Sequence, residues 1–336
     1  MAKTLLITDA WEPQINGVVT TIQNLAKEAQ KEKDEIIVID PSFAKCSIPL
    51  PQYPEIQLCY ISSRDIAKIL DDDFDHIHIA TVEGTLGYQF ARVCDRLKLS
   101  YTASCHTKFP EFISARYKWF PRWLGWKYMK HAYKNAQHVI TTTPSMVTEL
   151  REHGFEQPVS SWTRGIDTNI FYPNRKEIHC GRPLLLYVGR ISHEKNIDDF
   201  CSLSVGEFCT KVAVGDGPYR KTLEERYPNV IFTGALRGKK LADWYRAADC
   251  FVFPSTSDTF GVVNIEAIAC GTPVAAYPVT GPIDIIENGV SGYLDWDLQS
   301  AVKKCLDLPR DLVYNSSKKY SWVECYLQLK QILVPK

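Results

Sequence analysis

Two carboxylates stand eight positions apart in the run DTFGVVNIE, with Asp258 at its start and Glu266 at its end. This spacing predicts that Asp258 lies in a loop and that Glu266 lies about one turn inside the helix that follows. Backbone N–H groups at the helix start can bind a phosphate, and the carboxylates can accept hydrogen bonds from sugar hydroxyl groups. A capped, charged helix start without a ligand is the alternative. The residues expected to contact the ligand between the two acids are Phe260, Gly261, Val262 and Val263.

Two cations lie in the segment GRISHEKN, where Arg190 and Lys195 follow a predicted strand. Fixed cations at a strand end can hold a diphosphate and neutralise it as it leaves. The alternative is a solvated loop in which these side chains pair with a neighbouring glutamate.

Three glycines stand where a backbone could approach a ligand. Gly17 precedes a predicted amphipathic helix, so that helix start could bind an anion. Gly215 and Gly217 lie in the segment GDGP after another predicted strand, where a tight turn explains them equally well.

The elements that must position these residues form two series of short apolar runs that alternate with amphipathic stretches. This pattern predicts an α/β protein with two doubly wound, Rossmann-like domains whose strand ends face a central cleft. The predicted strands span 3–8, 35–40, 76–80, 100–106, 136–142, 184–189, 211–215, 229–234, 249–254 and 273–278.

We expect one Rossmann-like domain over 1–172, a linker over 173–183 and a second Rossmann-like domain over 184–310. A helical tail over 311–336 follows, for which packing back on the first domain is one option.

Composition excludes several other classes of protein. The 336 residues are 45% hydrophobic with a formal net charge of zero, so no bulk charge attracts nucleic acid. The eleven cysteines show no CxxC spacing, which favours free thiols in a reducing compartment and no metal site. No signal peptide or membrane span is visible, so we expect a cytoplasmic protein.

A basic and aromatic segment covers residues 116–134. Cations among exposed aromatic rings suit an anionic membrane surface, whereas aromatic rings packed into the core with a solvated cationic face are the alternative. The residues expected to meet a membrane or an acceptor are Arg116, Lys118, Trp119, Arg122, Trp123, Trp126 and Lys127.

Several segments in a fixed order resemble retaining GT-B glycosyltransferases that carry a Glu, seven residues, then Glu signature. The resemblance rests on HTKFPEFISARY, TRGIDTNIFYP, GRISHEKN, VGDGPYR and the run 253–284, and it extends to about residue 300. It is strongest to bacterial GDP-mannose-dependent α-mannosyltransferases and to glycolipid-forming enzymes. In the enzyme family that the motifs of this chain resemble, the first domain is the acceptor-binding domain and the second is the nucleotide-sugar-binding domain.

The resemblance implies a role for each residue of the predicted site. Gly17, Arg190 and Lys195 would hold the donor diphosphate, and Glu266 would accept hydrogen bonds from the ribose. Asp258 stands where the family has its first Glu, which contacts the transferred sugar. His106, at the end of a predicted strand, would lie against that sugar and assist at the reacting centre.

The function so implied is retaining transfer of a mannose- or glucose-like hexose from a nucleotide-diphosphate sugar, GDP-mannose before a UDP-sugar, to a lipid or glycolipid with α linkage. No metal or other cofactor is expected, and the enzyme would work at the inner face of the membrane. The alternatives are a GT-B nucleotide-sugar epimerase, whose own acid and base pair is not apparent, and a non-catalytic nucleotide-sugar-binding protein.

Overall fold

The computed structural model describes residues 1–14, 16–50, 53–117, 119–174, 183–206 and 208–336. They form two compact units, one of Met1–Gly165 with Trp322–Lys336 and one of Ile166–Ser321. The first unit therefore ends before the boundary expected at residue 172, and residues 311–321 belong to the second unit. The expected linker over 173–183 lies mostly outside the described residues.

The first unit contains eight strands and seven helices within its described residues. The strands are β1 (Lys3–Ile7), β2 (Glu35–Ile39), β3 (Cys46–Leu50), β4 (Tyr53–Tyr60), β5 (His76–Ile79), β6 (Thr102–Cys105), β7 (His138–Thr141) and β8 (Val159–Ser161). The helices are α1 (Gly17–Lys31), α2 (Ser63–Leu70), α3 (Thr85–Leu97), α4 (Phe109–Arg116), α5 (Arg122–Tyr133), α6 (Pro144–Glu152) and, after the second unit, α14 (Trp322–Ile332).

The second unit contains six strands and seven helices within its described residues. The strands are β9 (Leu184–Val188), β10 (Thr210–Val214), β11 (Val230–Gly234), β12 (Cys250–Phe253), β13 (Val274–Ala276) and β14 (Gly292–Leu294). The helices are α7 (Ile197–Ser202), α8 (Arg220–Arg226), α9 (Gly238–Ala247), α10 (Val262–Ala269), α11 (Pro282–Ile285), α12 (Leu298–Cys305) and α13 (Arg310–Ser316).

Each unit is built on a six-stranded parallel sheet. The order is β2-β1-β5-β6-β7-β8 in the first unit and β11-β10-β9-β12-β13-β14 in the second. The direction of chain progression reverses between β1 and β5 in one sheet and between β9 and β12 in the other. Ligands of doubly wound folds bind beyond the strand carboxyl ends at such a reversal. The predicted fold class of two doubly wound α/β units is confirmed.

The apolar runs form strands because both faces of each sheet are covered. In β9, Leu184 and Leu186 belong to the apolar cluster on one face, while Leu185 and Tyr187 belong to the cluster on the other. Continuous apolar sequence is what a parallel strand buried on both faces requires.

All ten predicted strands are present; nine are shorter than predicted by one to three residues, and β10 has the predicted length but begins one residue earlier. The unpredicted strands are β8 and β14, which have three residues each and lie at sheet edges, and the antiparallel pair β3 and β4. Residues of β3 are largely exposed, so the apolar pattern of a buried strand is missing there.

The C-terminal helix α14 packs on the first unit. Its buried residues Trp322, Cys325 and Leu329 share an apolar cluster with Leu25 and Ala29 of α1. Residues 322–336 of the predicted tail thus belong to the first unit. Packing back on the first domain was one option for this tail.

Candidate functional site

The loops that follow β9 and β12 lie at the chain reversal of the second sheet. These strands are neighbours, with Leu185 opposite Cys250 and Leu186 opposite Phe251. Their loops carry Arg190 and Lys195 on one side and Asp258 on the other. The predicted cations and the first predicted carboxylate therefore belong to the place where a doubly wound unit binds its ligand.

Hydrogen bonds join these two loops into one surface. The amide of Asn196 donates to the carbonyl of Pro254 at 3.4 Å and to the hydroxyl of Thr256 at 3.2 Å. The hydroxyl of Ser257 donates to the carbonyl of Glu194 at 3.1 Å. Asn196 is adjacent to Lys195 in the chain, and Ser257 is adjacent to Asp258. These bonds therefore fix the positions of the two charged residues relative to each other.

Lys195 and Asp258 form an ion pair across the loops. The Lys195 Nζ lies 2.6 Å from the Asp258 Oδ1, and the side chains remain 22% and 24% exposed. A close charge-assisted contact that stays open to solvent can exchange partners when an anion arrives. Arg190 is half-buried, and its carbonyl accepts a hydrogen bond from Tyr187 at 2.7 Å.

Gly215 and Gly217 are required by backbone packing. A Cβ at Gly215 would lie 1.8 Å from the carbonyl oxygen of Gly189, and one at Gly217 would lie 2.3 Å from that of Ile191. The loop after β10 thus packs closely against the backbone of the loop that carries Arg190. Contact of these glycines with a ligand stays a prediction.

The start of α10 is formed by Gly261, whose φ of +80° belongs to the left-handed region that glycine tolerates best. Among the described residues no side chain caps this helix, and Val262 and Val263 in its first turn are half-buried. The side chain of Phe260 is 6% exposed and packs edge-on against Tyr320, so the ring belongs to the core of the second unit. Contact of Phe260 with a donor stays a prediction.

Glu266 lies in the second turn of α10 and is half-buried. The hydroxyl of Tyr245 donates to its Oε2 at 3.1 Å. Burial raises the pKa of Glu266 to about 7, although the hydrogen bond from Tyr245 favours the ionised form. This carboxyl group therefore changes charge near neutral pH.

In the first unit, His106 follows β6 and is 8% exposed. Its Nδ1 lies 3.0 Å from Nη2 of Arg164, and its Nε2 lies 2.8 Å from Oγ of Ser104. Burial, followed by the charges of Arg164 and His78, holds the pKa of His106 well below its usual range. The imidazole is neutral at physiological pH, and both of its nitrogens have protein partners.

Two family models match the chain. One is described as glycosyl transferases group 1 and matches residues 182–311, and the other as glycosyltransferase family 4 and matches residues 15–170. The chain belongs to these glycosyltransferases. The matched ranges include each predicted donor-site residue.

Two relatives and one solved structure illustrate the similarity. A GDP-mannose-dependent α-mannosyltransferase of Corynebacterium glutamicum is 28% identical over 86% of this glycosyltransferase and 75% of its own length. An α-monoglucosyldiacylglycerol synthase of Streptococcus pneumoniae is 27% identical over 91% of this chain and 79% of its own. The Anabaena protein HepE, solved with UDP and glucose, superposes with a TM-score of 0.74 at 18% identity, covering 98% of this chain and 99% of its own. The last likeness supports the GT-B fold.

Gly17 is the first residue of α1 in the glycosyltransferase. The side chain of the preceding residue, Asn16, already binds the backbone N–H groups in the first turn of that helix. Oδ1 of Asn16 accepts hydrogen bonds from the N–H groups of Val18 and Val19, both at 3.0 Å. An anion at this helix start would have to displace that cap. The diphosphate role of Gly17 stays a prediction.

Sequence reasoning missed two acids near the strand ends of the first unit, Asp9, which is half-buried, and Glu83, which is buried. The carboxylate of Asp9, after β1, accepts from the N–H groups of Leu86 and Gly87 at 2.8 and 2.9 Å at the start of α3. Glu83 accepts from Thr107 at 2.8 Å and from Tyr133. Burial raises the pKa of both acids. Asp9 stands two positions beyond β1 and Glu83 four positions beyond β5, so their signal in the sequence is an acid shortly after an apolar strand.

The basic and aromatic segment of the glycosyltransferase divides between surface and core. Trp119 and Trp123 are 80% and 66% exposed, and Arg122 and Lys127 are exposed on α5. Trp126 is 6% exposed and stacks on His153 with ring centroids 3.7 Å apart, so the predicted surface role of Trp126 is wrong. Lys118 and the side chain of Arg116 lie outside the described residues.

Within the described ranges, no helix is both long and apolar enough to cross a membrane. Over the same part of the chain, no three His, Cys, Asp or Glu side chains are grouped as metal ligands would be.

Proposed function

We propose that this glycosyltransferase transfers a hexose from a nucleotide-diphosphate sugar and retains the anomeric configuration. The observation that carries the proposal is the Lys195–Asp258 ion pair, 2.6 Å long, at the chain reversal of the second sheet. It supplies a cation for the donor diphosphate and a carboxylate for the sugar on one surface. GDP-mannose is favoured as donor because the C. glutamicum relative is named for it.

In the proposed reaction, the acceptor oxygen attacks the anomeric carbon while the bond from that carbon to the phosphate oxygen breaks. The acceptor proton passes to the departing phosphate oxygen, on the same face of the sugar. Lys195 and Arg190 stabilise the negative charge that develops on the diphosphate. Asp258 orients the sugar and Glu266 the ribose, so the protein acts through position and charge without a metal.

The proposed acceptor is a lipid or glycolipid, and the new linkage is α. The S. pneumoniae relative is named for a glucosyldiacylglycerol product, which supports a lipid acceptor. Exposed Trp119 and Trp123 beside the cations Arg122 and Lys127 support peripheral binding to the anionic inner face of the membrane.

A donor panel tests the proposal. Thermal shifts with GDP-mannose, UDP-glucose and ADP-glucose identify the nucleotide, and transfer to diacylglycerol or to a membrane lipid extract identifies the acceptor. NMR of the product gives the anomeric configuration. We expect the largest shift with GDP-mannose and an α-linked product. Nucleotide binding without hydrolysis or transfer would favour a binding protein, and conversion of the sugar on the nucleotide an epimerase.

A further inference from the structure

A chain of hydrogen bonds runs through the interior of the first unit from Arg164 to the backbone of β5. Its side chains are Arg164, His106, Ser104, His78 and Thr102, whose exposed fractions lie between 0% and 8%. The contacts are 3.0 Å from Arg164 to His106, 2.8 Å from His106 to Ser104, 3.0 Å from Ser104 to His78 and 2.9 Å from His78 to Thr102. Thr102 then donates to the carbonyl of Ile77 at 3.3 Å.

The chemistry of Arg164 fixes the proton position on His106. A guanidinium group only donates, so Nδ1 of His106 must accept and the ring proton must lie on Nε2. The Ser104 hydroxyl therefore accepts from Nε2 of His106. Its own proton has two acceptors within reach, Nε2 of His78 at 3.0 Å and the carbonyl of Ala80 at 3.5 Å.

Arg164 is held in place by its own surroundings. Its guanidinium carbon lies 4.5 Å from the ring centroid of Trp162, and Nη1 donates to the carbonyl of Thr163 at 2.9 Å. Helix α14 fixes the same segment, because Cys325 donates to that carbonyl at 3.1 Å and Gln328 accepts from the Thr163 N–H at 3.0 Å. Burial lowers the pKa of Arg164 to about 10, which leaves it protonated at neutral pH.

We propose that Arg164 is a positioning residue of the transfer reaction: by donating to Nδ1 of the buried His106 imidazole, it fixes the ring proton on Nε2, orients the ring and bars Nδ1 from acting as a base. The kinetic part of this inference rests on the proposed function and on the place that the family resemblance implies for His106, against the transferred sugar. It agrees with a reaction in which the departing phosphate oxygen takes the acceptor proton. The groups facing His106 are Arg164 and His78, with Cys325 of α14 beside Arg164.

The first test needs neither activity nor a variant of Arg164. The enzyme is labelled with ¹⁵N-histidine, and the His106 ring signals are assigned by their loss in His106→Gln. We expect a neutral Nε2–H tautomer that does not titrate between pH 5.5 and 8. A ring that titrates in this range, or whose proton lies on Nδ1, overturns the proposal.

The second test compares Arg164→Met and Arg164→Lys with Arg92→Met, an exposed residue of α3. With GDP-mannose as donor, Arg164→Met should lower kcat roughly ten- to a hundredfold and leave the donor KM nearly unchanged, because the ring loses its fixed orientation. In the same variant the His106 ring proton should no longer be confined to Nε2, while burial keeps the ring neutral. Arg164→Lys keeps a donor and should restore part of both properties.

The Arg92→Met variant should match the wild type in both measurements. A folded Arg164→Met enzyme with unchanged kcat and an unchanged His106 tautomer contradicts the inference. If Arg164→Met does not fold, the His106 tautomer of the wild type and the kcat of Arg164→Lys still test the inference. An enzyme that transfers no sugar refutes the proposed function, while the ring signals report on Arg164 independently.

Discussion

At the scale of single residues, the Lys195–Asp258 ion pair neutralises two opposite charges that are each about one quarter exposed. Under the proposed function, a donor diphosphate would take over Lys195 and leave Asp258 to the sugar hydroxyl groups. The pair thus avoids an isolated, partly buried charge at this surface.

Replacement of Lys195 tests this assignment. We expect Lys195→Ala to lower kcat/KM by roughly a hundredfold or more, since the charge on the departing diphosphate loses a fixed cation. The matched control is Lys304→Ala, which breaks the 3.0 Å pair of Lys304 with Asp295 in the same unit. Steady-state kinetics measure both variants. Turnover of Lys195→Ala within a few-fold of the control would refute the diphosphate role.

If Glu266 binds the ribose as proposed, we expect donor binding to depend on pH. Its pKa of about 7 means that the ionised fraction rises between pH 6 and pH 8, and the carboxylate is the better acceptor for ribose hydroxyl groups. We expect the donor KM to fall over this range. Glu266→Gln should show a high KM that no longer varies with pH. A wild-type KM that stays flat while the variant binds equally well would argue against the ribose role.

At the scale of elements, the C-terminal helix α14 is attached to the first unit by a buried carboxylate as well as by apolar packing. Asp34, 6% exposed, accepts from the Ala2 N–H at 2.7 Å, from Tyr326 at 2.8 Å and from Lys330. Burial alone would raise the pKa of Asp34, but these hydrogen bonds outweigh it and lower the pKa to about 2. Ala2 is far from Tyr326 and Lys330 in the chain, and all three donate to this one carboxylate.

The depressed pKa predicts a pH-dependent contribution to stability. Because the unfolded chain holds this carboxyl near its ordinary pKa, the contribution is present above about pH 4 and is lost as the pH falls toward about 2. We expect Asp34→Asn to lower the free energy of unfolding by about 2 kcal/mol at pH 7. Urea unfolding of the first unit at pH 7 and at low pH measures this.

The control for this prediction is Asp73→Asn, an exposed aspartate of the same unit, which should leave the unfolding curve unchanged. An equal effect of Asp34→Asn at both pH values would show that the loss comes from packing instead of charge.

Helix α5 and the residues before it provide the proposed membrane surface. We expect the enzyme to float with phosphatidylglycerol vesicles and less with phosphatidylcholine. The double change Trp119→Ala and Trp123→Ala should reduce binding to both, because the rings supply apolar anchorage. Changing Arg122 and Lys127 to Gln should remove the preference for anionic lipid and its salt sensitivity.

The control for lipid binding is Trp296→Ala, which removes a ring that is 67% exposed in the second unit. It should float like the wild type. Equal binding to both vesicle types by the unchanged enzyme would eliminate the anionic membrane surface as a partner.

At the scale of the whole molecule, charge is balanced, with 39 basic and 39 acidic residues. Attraction to an anionic partner must therefore come from local groups such as those of α5 or the loop after β9. Each unit buries its own core, and each carries part of the predicted set of site residues.

The cations proposed for the donor site predict an enzyme that needs no metal ion. Since Lys195 and Arg190 are proposed to neutralise the diphosphate, we expect transfer to continue unchanged with excess EDTA. The measurement is initial rate with EDTA, with Mg²⁺ and with Mn²⁺. A rate that EDTA abolishes and Mg²⁺ restores would show that a cation shares the role given to these side chains.

Much of this architecture is determined by local sequence. The ten predicted parallel strands follow from short apolar runs, because a strand covered on both faces must be apolar throughout and even the half-buried edge strands β2 and β11 keep this apolar sequence. The motif GRISHEKN and the run from Asp258 to Glu266 also lie at strand ends or a helix start, as their spacing predicts. The edge strands β8 and β14 could not be predicted in this way, because a run of three residues is too short to show a periodic pattern.

Only the tertiary structure decided which side chains meet. The 2.6 Å contact of Lys195 with Asp258 depends on β9 and β12 being neighbours in the sheet, which no local pattern encodes. The same holds for Arg164, whose donation to His106 turned an expected reactive ring into a neutral, fully hydrogen-bonded one. Trp126 and Phe260 likewise became core residues. Residue type sets what a side chain can do, while burial and partners, both long-range properties, set its charge state and its access to a ligand.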